Sequence, residues 1–416
     1  MKLGLISTVA AIAVLASGAA HSADTIKIGL LTPQEGVFTV PGTDGIRGFQ
    51  MALNEFGGAI NGKKIEWVLG PTDATPDTAV RVARKVIEQD QVDFIIGPLS
   101  GSEGIALRDY AKTIPNKTII NAASGALETT YVDPAPNFFR YNLDGAQWGY
   151  GLGSYVVKEK GWKKVATIAA DYSFGYTNFM GFAVDFCKAG GTITERFWLP
   201  LGSGDFASII AALPDDVDAI YLGVGGTDAV NFLNQYEQAG GNTNLIGGTI
   251  MADQTVLTAK GRAKEALVGT PTSGPQADDW NDANWQKFVK TYQDTFPANE
   301  RFPSPSLFAT NYYNATKAAL MALKEIGGNL DANQANFHKA LAAVVLDAPN
   351  GRITLDENRQ AIGSSFITEV VEGSDGKLHN TFKAKVDNIN QRLGMTKEQF
   401  DALGRPSRTT PDCSKL

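Results

Sequence analysis

Residues 92–104 read VDFIIGPLSGSEG. The run from Val92 to Ile96 is short, apolar and rich in branched side chains, which suits a strand buried on both faces of a parallel sheet. Gly97-Pro98 ends it, because proline has no N–H to give a central ladder. Ser100, Gly101 and Ser102 follow, and residues 105–112 have helical character. Two hydroxyls and a glycine therefore stand where a strand hands over to a helix. The first turn of a helix carries free N–H groups and a partial positive charge, so it attracts anions. In open α/β sheets ligands gather at the carboxyl ends of strands. A serine in this place also serves as an ordinary helix cap, and both roles stay open for Ser100 and Ser102.

Outward from this unit the same rhythm repeats. Upstream, residues 25–31 read as a strand, 32–45 as a loop, 46–56 as a helix, 65–69 as a strand and 78–89 as a helix. Downstream, strands are expected at 118–122, 165–170, 192–198 and 219–223, with helices at 178–189, 206–213 and 228–239. Short strands at 245–247 and 266–269 follow, then helices at 281–296, 305–326 and 334–345. Residues 354–362 read as a turn-rich connection and 365–371 as a late strand. The tail from 388 holds one short helix, marked by the capping box Thr396…Gln399. Strand alternating with helix implies parallel sheets covered on both faces. The run from 25 to 270 is too long for one comfortable sheet.

The chain has 416 residues, enough for two domains. Hydrophobic residues make up 43% and charged residues 19%, an ordinary globular mixture. With 37 Lys+Arg against 44 Asp+Glu and no basic stripe, nucleic acid is not an expected partner. Residues 1–23 read as a secretory signal: Lys2 gives the positive start, 3–16 the apolar run and 18–23 the small-residue exit. Cleavage after Ala20 and after Ala23 both remain open. The apolar run is too short to span a membrane, so an exported soluble chain is expected. Cys187 and Cys413 are the only cysteines. In an oxidising compartment they either pair, as a possible disulfide, or remain two thiols.

Enzyme signatures are sparse. Beyond the signal only His338 and His379 occur, far apart, which disfavours a histidine metal site or a Ser-His-Asp arrangement. Asp171-Tyr172-Ser173-Phe174-Gly175 misses the nucleophile elbow by its first residue. Gly223-Val224-Gly225-Gly226 is a weak dinucleotide signal, and such glycines more often just allow a tight strand–helix turn. No catalytic residue, cofactor or metal is expected.

Several stretches in order carry a resemblance: Ile26-Lys27-Ile28-Gly29, the helix opened by Gly45-Ile46-Arg47-Gly48-Phe49, Ile60-Asn61-Gly62-Lys63-Lys64-Ile65, the helix of 78–87, and Ile95-Ile96-Gly97-Pro98. Over residues 26–376 the chain resembles type I periplasmic solute-binding proteins of ABC importers, of the Leu/Ile/Val-binding family. The resemblance implies two doubly wound α/β lobes joined by three hinge crossings. It puts these near Tyr141-Asn142, near Gly269-Thr270-Pro271 and between Gly351 and Asp356. Lobe one would be 24–141 with 271–352, lobe two 142–270 with 353–386, and 387–416 a tail. It implies a monomer that binds a small carboxylate and docks on an ABC permease in the inner membrane. Carried over, the carboxylate site falls on Ser100, Gly101 and Ser102 and on Ala123, Ser124 and Gly125, and the aromatic position on Phe174 beside Tyr172. The family's acidic position falls in Gly248-Thr249-Ile250-Met251, where no acid stands and Asp253 is nearest. A buried ammonium without a carboxylate is costly, so an aromatic acid, packed against Phe174, Tyr172 and Met251, is expected over a branched-chain amino acid. A secreted α/β enzyme and a sensor ectodomain are the alternatives of other classes.

Overall fold

The computed structural model describes residues 25–258 and 263–416. The expected signal segment, 1–23, lies outside the described residues. Two sheets organise the rest. The first contains β1 (Thr25–Pro33), β2 (Ala59–Ile60), β3 (Lys63–Thr72), β4 (Phe94–Ile96), β5 (Thr118–Asn121) and β6 (Phe138–Arg140), in the order β2-β3-β1-β4-β5-β6. All its pairings are parallel except the short β2–β3 hairpin. Alternation along each strand divides the apolar residues between two faces. Ile28, Leu30, Phe94, Ile96 and Ile120 pack with Phe49 and Leu53 of the helix Thr39–Glu55 and Leu320 and Leu323 of the helix Leu307–Glu325. Ile95 and Ile119 face the other way, onto Val82 and Val86 of the helix Pro76–Glu88 and Leu107 of the helix Gly101–Thr113.

The second sheet contains β7 (Lys164–Ala170), β8 (Thr192–Leu199), β9 (Ala219–Gly223), β10 (Asn244–Gly247), β11 (Pro271–Gly274), β12 (Leu346–Ala348), β13 (Gly351–Leu355), β14 (Ala361–Glu372) and β15 (Leu378–Ile389). Its order is β12-β13-β14-β11-β10-β9-β7-β8, with β15 paired to β14. Ile220 and Leu222 of β9 pack on Phe232 and Leu233 of the helix Gly226–Gln238, while Ala219 and Tyr221 meet Phe179 and Phe182 of the helix Ser173–Lys188.

The expected elements differ from these in instructive places. The first helix begins at Thr39, inside the expected loop, because Pro41 falls in its first turn, where a missing N–H leaves no bond unmade. The expected strand at 266–269 is instead the end of the helix Ala263–Leu267, and the chain turns at Gly269, φ +85°, before β11. The strand expected at 365–371 extends over all of β14 and pairs with β15, which the sequence reading did not place. The turn-rich connection is a tight turn between β13 and β14, held by Asp356 Oδ1, which accepts the N–H groups of Asn358 (2.8 Å) and Gln360 (2.9 Å).

β11, which begins at the expected crossing Gly269-Thr270-Pro271, lies between β10 and β14 in the second sheet. The β12–β13 ribbon, expected in lobe one, is hydrogen-bonded to the edge of the second sheet through β14, yet Leu346, Ala348 and Ile353 pack in the first sheet's core. It therefore ties the two layers together. The tail helix Lys397–Ala402 carries the expected capping box, and its Phe400 packs with Leu127 from the first layer and Met180 and Val184 from the second. A disulfide joins Cys187 to Cys413, with Cα atoms 5.5 Å apart.

Candidate functional site

The carboxyl ends of both sheets' strands face one another across a small cavity. Its walls are Phe38, Leu99, Ser100, Gly101, Ala123 and Phe308 with Leu307 from one side, and Trp148, Tyr172, Phe174 and Ile250 from the other. The space left among them is about 10 Å³, room for one water molecule. A ligand the size of an amino acid enters only when these walls part. None of the described lining side chains is charged.

Each wall has a local cause. Ser100 is the N-cap of the helix Gly101–Thr113, and a full capping box forms: Ser100 Oγ accepts the N–H of Glu103 (3.3 Å) and Glu103 Oε2 accepts that of Ser100 (2.8 Å). Ser100 Oγ also donates to Ala74 O at 2.8 Å. Its hydroxyl is thus spent on the cap. The N–H groups of Gly101 and Ser102 come next, in the first turn of the helix, where a helix has no carbonyl of its own to offer them. Burial pushes the Glu103 carboxyl up to about 6, beneath this turn. Ser102 Oγ meets Ser173 Oγ at 3.2 Å, a hydroxyl pair that joins the two layers.

The second turn is fixed from below. The Ser124 carbonyl accepts Asn121 Nδ2 (2.9 Å) and Asn142 Nδ2 (3.1 Å), and Arg140 donates to Ala126 O (2.7 Å) and Thr130 Oγ1 (2.7 Å). Arg140 is fully buried, and burial lowers its guanidinium to about 10. Ser124 itself does not line the cavity. Its Oγ lies against Gly104, so close that a Cβ there would stand 1.9 Å away. Gly125 packs on the second layer instead: a Cβ on it would lie 2.8 Å from Phe174 Cδ2 and 3.1 Å from Trp148 Cζ3.

In the second layer, Tyr172 and Phe174 lie at the start of the helix Ser173–Lys188, with ring centroids 6.1 Å apart, and Phe174 sits edge-on to Trp148 at 6.1 Å. Burial holds the Tyr172 phenol well above its ordinary range. Beyond β10 the chain turns at Gly248-Thr249, where Thr249 N donates to Asn178 Oδ1 (3.1 Å) and Met251 N to Gly248 O (2.9 Å). This turn presents Ile250 to the cavity and buries Met251 among Ile168, Leu222 and Val256. Met251, expected against a ligand ring, is a core residue. Phe38, Leu99, Trp148, Ile250, Leu307 and Phe308 were not singled out by the sequence.

Asp253, the nearest acid, caps two helices at once. Its Oδ2 accepts Thr255 N (3.1 Å) and its Oδ1 accepts Leu307 N across the layers (2.9 Å). Among the described residues no group of three or more His, Cys, Asp or Glu is placed to hold a metal, and no helix is long and apolar enough to cross a membrane.

The profile of the family described as "Periplasmic binding protein" matches residues 25–377. The chain belongs to that family. This periplasmic binding protein is 24% identical over 381 residues to the Leu/Ile/Val-binding protein homolog 6 of Brucella melitensis, covering 90% of this chain and 94% of the relative. It is 26% identical over 343 residues to the leucine-, isoleucine-, valine-, threonine- and alanine-binding protein of Pseudomonas aeruginosa, covering 81% and 87%. A solute-binding protein of an ABC transporter from Rhodopseudomonas palustris BisB5, solved with 3,4-dihydroxybenzoic acid, superposes with a TM-score of 0.80 at 27% identity, covering 88% of this chain and 99% of that one. The type I fold with two parallel-sheet lobes, expected from sequence, is the fold of these neighbours. The family is a solute-binding transporter component rather than an enzyme family.

Proposed function

We propose that this chain captures a small carboxylate with an aromatic body between its lobes, in the periplasm, and delivers it as a monomer to an ABC permease. The observation that carries this reading is the character of the cavity wall. Phe38, Trp148, Tyr172, Phe174 and Phe308 surround it, and no acid lines it. Aromatic walls suit an aromatic guest, and an α-ammonium would be buried there without a counter-charge. The N–H groups of Gly101 and Ser102 supply the anion subsite, at the positive end of a helix. The dihydroxybenzoate-bound neighbour supports the same ligand class.

The lobes in this reading are the layers built on the two sheets, with boundaries near those given by the resemblance and the second crossing moved beyond Gly274. Ligand bound by both lobes shifts the open–closed balance toward the closed form that the permease reads.

A thermal-shift panel tests the reading. Benzoate, hydroxybenzoates and cinnamate-type acids are set beside leucine and valine, since a ligand that binds only the folded state raises the melting temperature. A rise with aromatic acids and none with leucine is expected. A rise with leucine or valine alone overturns the aromatic reading and returns the chain to the specificity named for its Pseudomonas relative.

A further inference from the structure

A second cavity, of about 20 Å³, shares Leu307 with the first. Its lining is polar where the first is aromatic. Gln254, Thr272 and Ser273 line it and are only 3%, 2% and 2% exposed. Gln254 Oε1, Thr272 Oγ1 and Ser273 Oγ have no hydrogen-bond partner among the described residues, and neither do Gln276 Oε1 and Asn380 Oδ1 in the same lining. Native interiors seldom leave such atoms unpaired.

The amides are not free to turn their nitrogens inward. Gln254 Nε2 donates to Asp278 Oδ2 (2.8 Å), Gln276 Nε2 to Pro305 O (2.7 Å) and Asn380 Nδ2 to Ala252 O (2.6 Å). Three amide oxygens are therefore left over, each fixed by what its nitrogen does. The carboxylates of Asp253 and Asp278 stand in the same wall, and no lysine, arginine or histidine lines it. The cavity thus offers neutral oxygens beside two carboxylates.

We propose that this cavity is a site for one monovalent inorganic cation, Na⁺ or K⁺, held at the junction of the lobes by the free oxygens of Gln254, Gln276, Asn380 and Thr272. Its size admits a single water-sized guest. Zinc prefers nitrogen and sulfur ligands, and calcium takes six to eight oxygens that usually include free carboxylates. Here Asp253 is occupied by two backbone N–H groups, and Asp278 Oδ2 by Gln254 Nε2 and Asn380 N. They set the field rather than supply the inner oxygens. Rings of neutral oxygens are a known way to replace the hydration shell of an alkali cation. The wall joins the end of β10 and β11 to Leu307, so an ion here also favours the closed arrangement.

The test needs no organic ligand. The melting temperature and radius of gyration of the ligand-free protein are compared in NaCl, KCl and choline chloride at equal ionic strength. A saturable rise of a few degrees and a smaller radius in Na⁺ or K⁺ are expected. A Thr272→Val variant should keep its choline melting temperature and lose the response to the alkali ion. Identical behaviour in all three salts means water fills the cavity, and overturns the proposal. An undiminished response in the variant places the ion elsewhere and overturns it too. A response confined to divalent ions overturns the monovalent assignment.

Discussion

The carboxylate of Asp253, at the end of the second layer's β10 loop, accepts the first N–H of the helix Leu307–Glu325 in the first layer at 2.9 Å. A helix N-terminus is a favourable place for negative charge, yet burial pushes this carboxyl up to about 6. In the unfolded chain an aspartate titrates near ~3.9. The folded state therefore holds the proton more tightly between about pH 4 and 6, and the group's share of stability falls as pH rises through that window. The change is on the order of 3 kcal/mol. Urea melts of the wild type and Asp253→Asn at pH 4, 5, 6 and 7 check it. The difference, wild type minus variant, should decline from about pH 4 to 6 and level off above. A flat difference would show that Asp253 titrates normally.

Gly125 and Phe174 meet between the two layers so closely that a methyl group has no room. Gly125→Ala should hold the lobes apart while leaving each sheet's packing intact. Small-angle scattering should then give a larger radius of gyration than wild type, and an acid that shifts the wild-type melting temperature should bind at least about tenfold more weakly, ~1.4 kcal/mol. An unchanged radius and affinity would mean that Phe174 simply rotates aside.

Arg140 and Asp144 are both fully buried and 3.7 Å apart, in a network that includes Gln360 and the carbonyl of Ala126. Removing one partner of a buried pair leaves the other charge uncompensated, at a cost of about 3–5 kcal/mol. Arg140→Met should lower the urea midpoint accordingly and loosen the Ala123–Gly125 turn. A loss under about 1 kcal/mol would mean that Asp144 is neutral in the fold.

The alternation of strand and helix was plain in the sequence because both sheets are parallel and covered, so their strands are short apolar runs between glycine- and serine-rich turns. The Ser100 cap was legible for the same reason: a serine three residues before a glutamate announces its own local bonds. β15 was not, since its partly exposed residues, such as Lys383 and Lys385, carry no apolar run. In the cavity, Tyr172 and Phe174 were placed by resemblance. Trp148 and Phe308 come from stretches with no motif, and only the docking of the layers brings them together. Ile250 rather than Met251 lines the cavity, in a loop that also carries the bond from Met251 N to Gly248 O.

The disulfide between Cys187 and Cys413 has a consequence for how the molecule breaks. It closes a covalent ring that holds β8 to β15 and both later passages between the layers. A protease that cuts once anywhere inside that ring severs no piece from the rest. The nicked chain runs as one species until a reductant opens it, so damage that would dismember an open chain leaves this one whole.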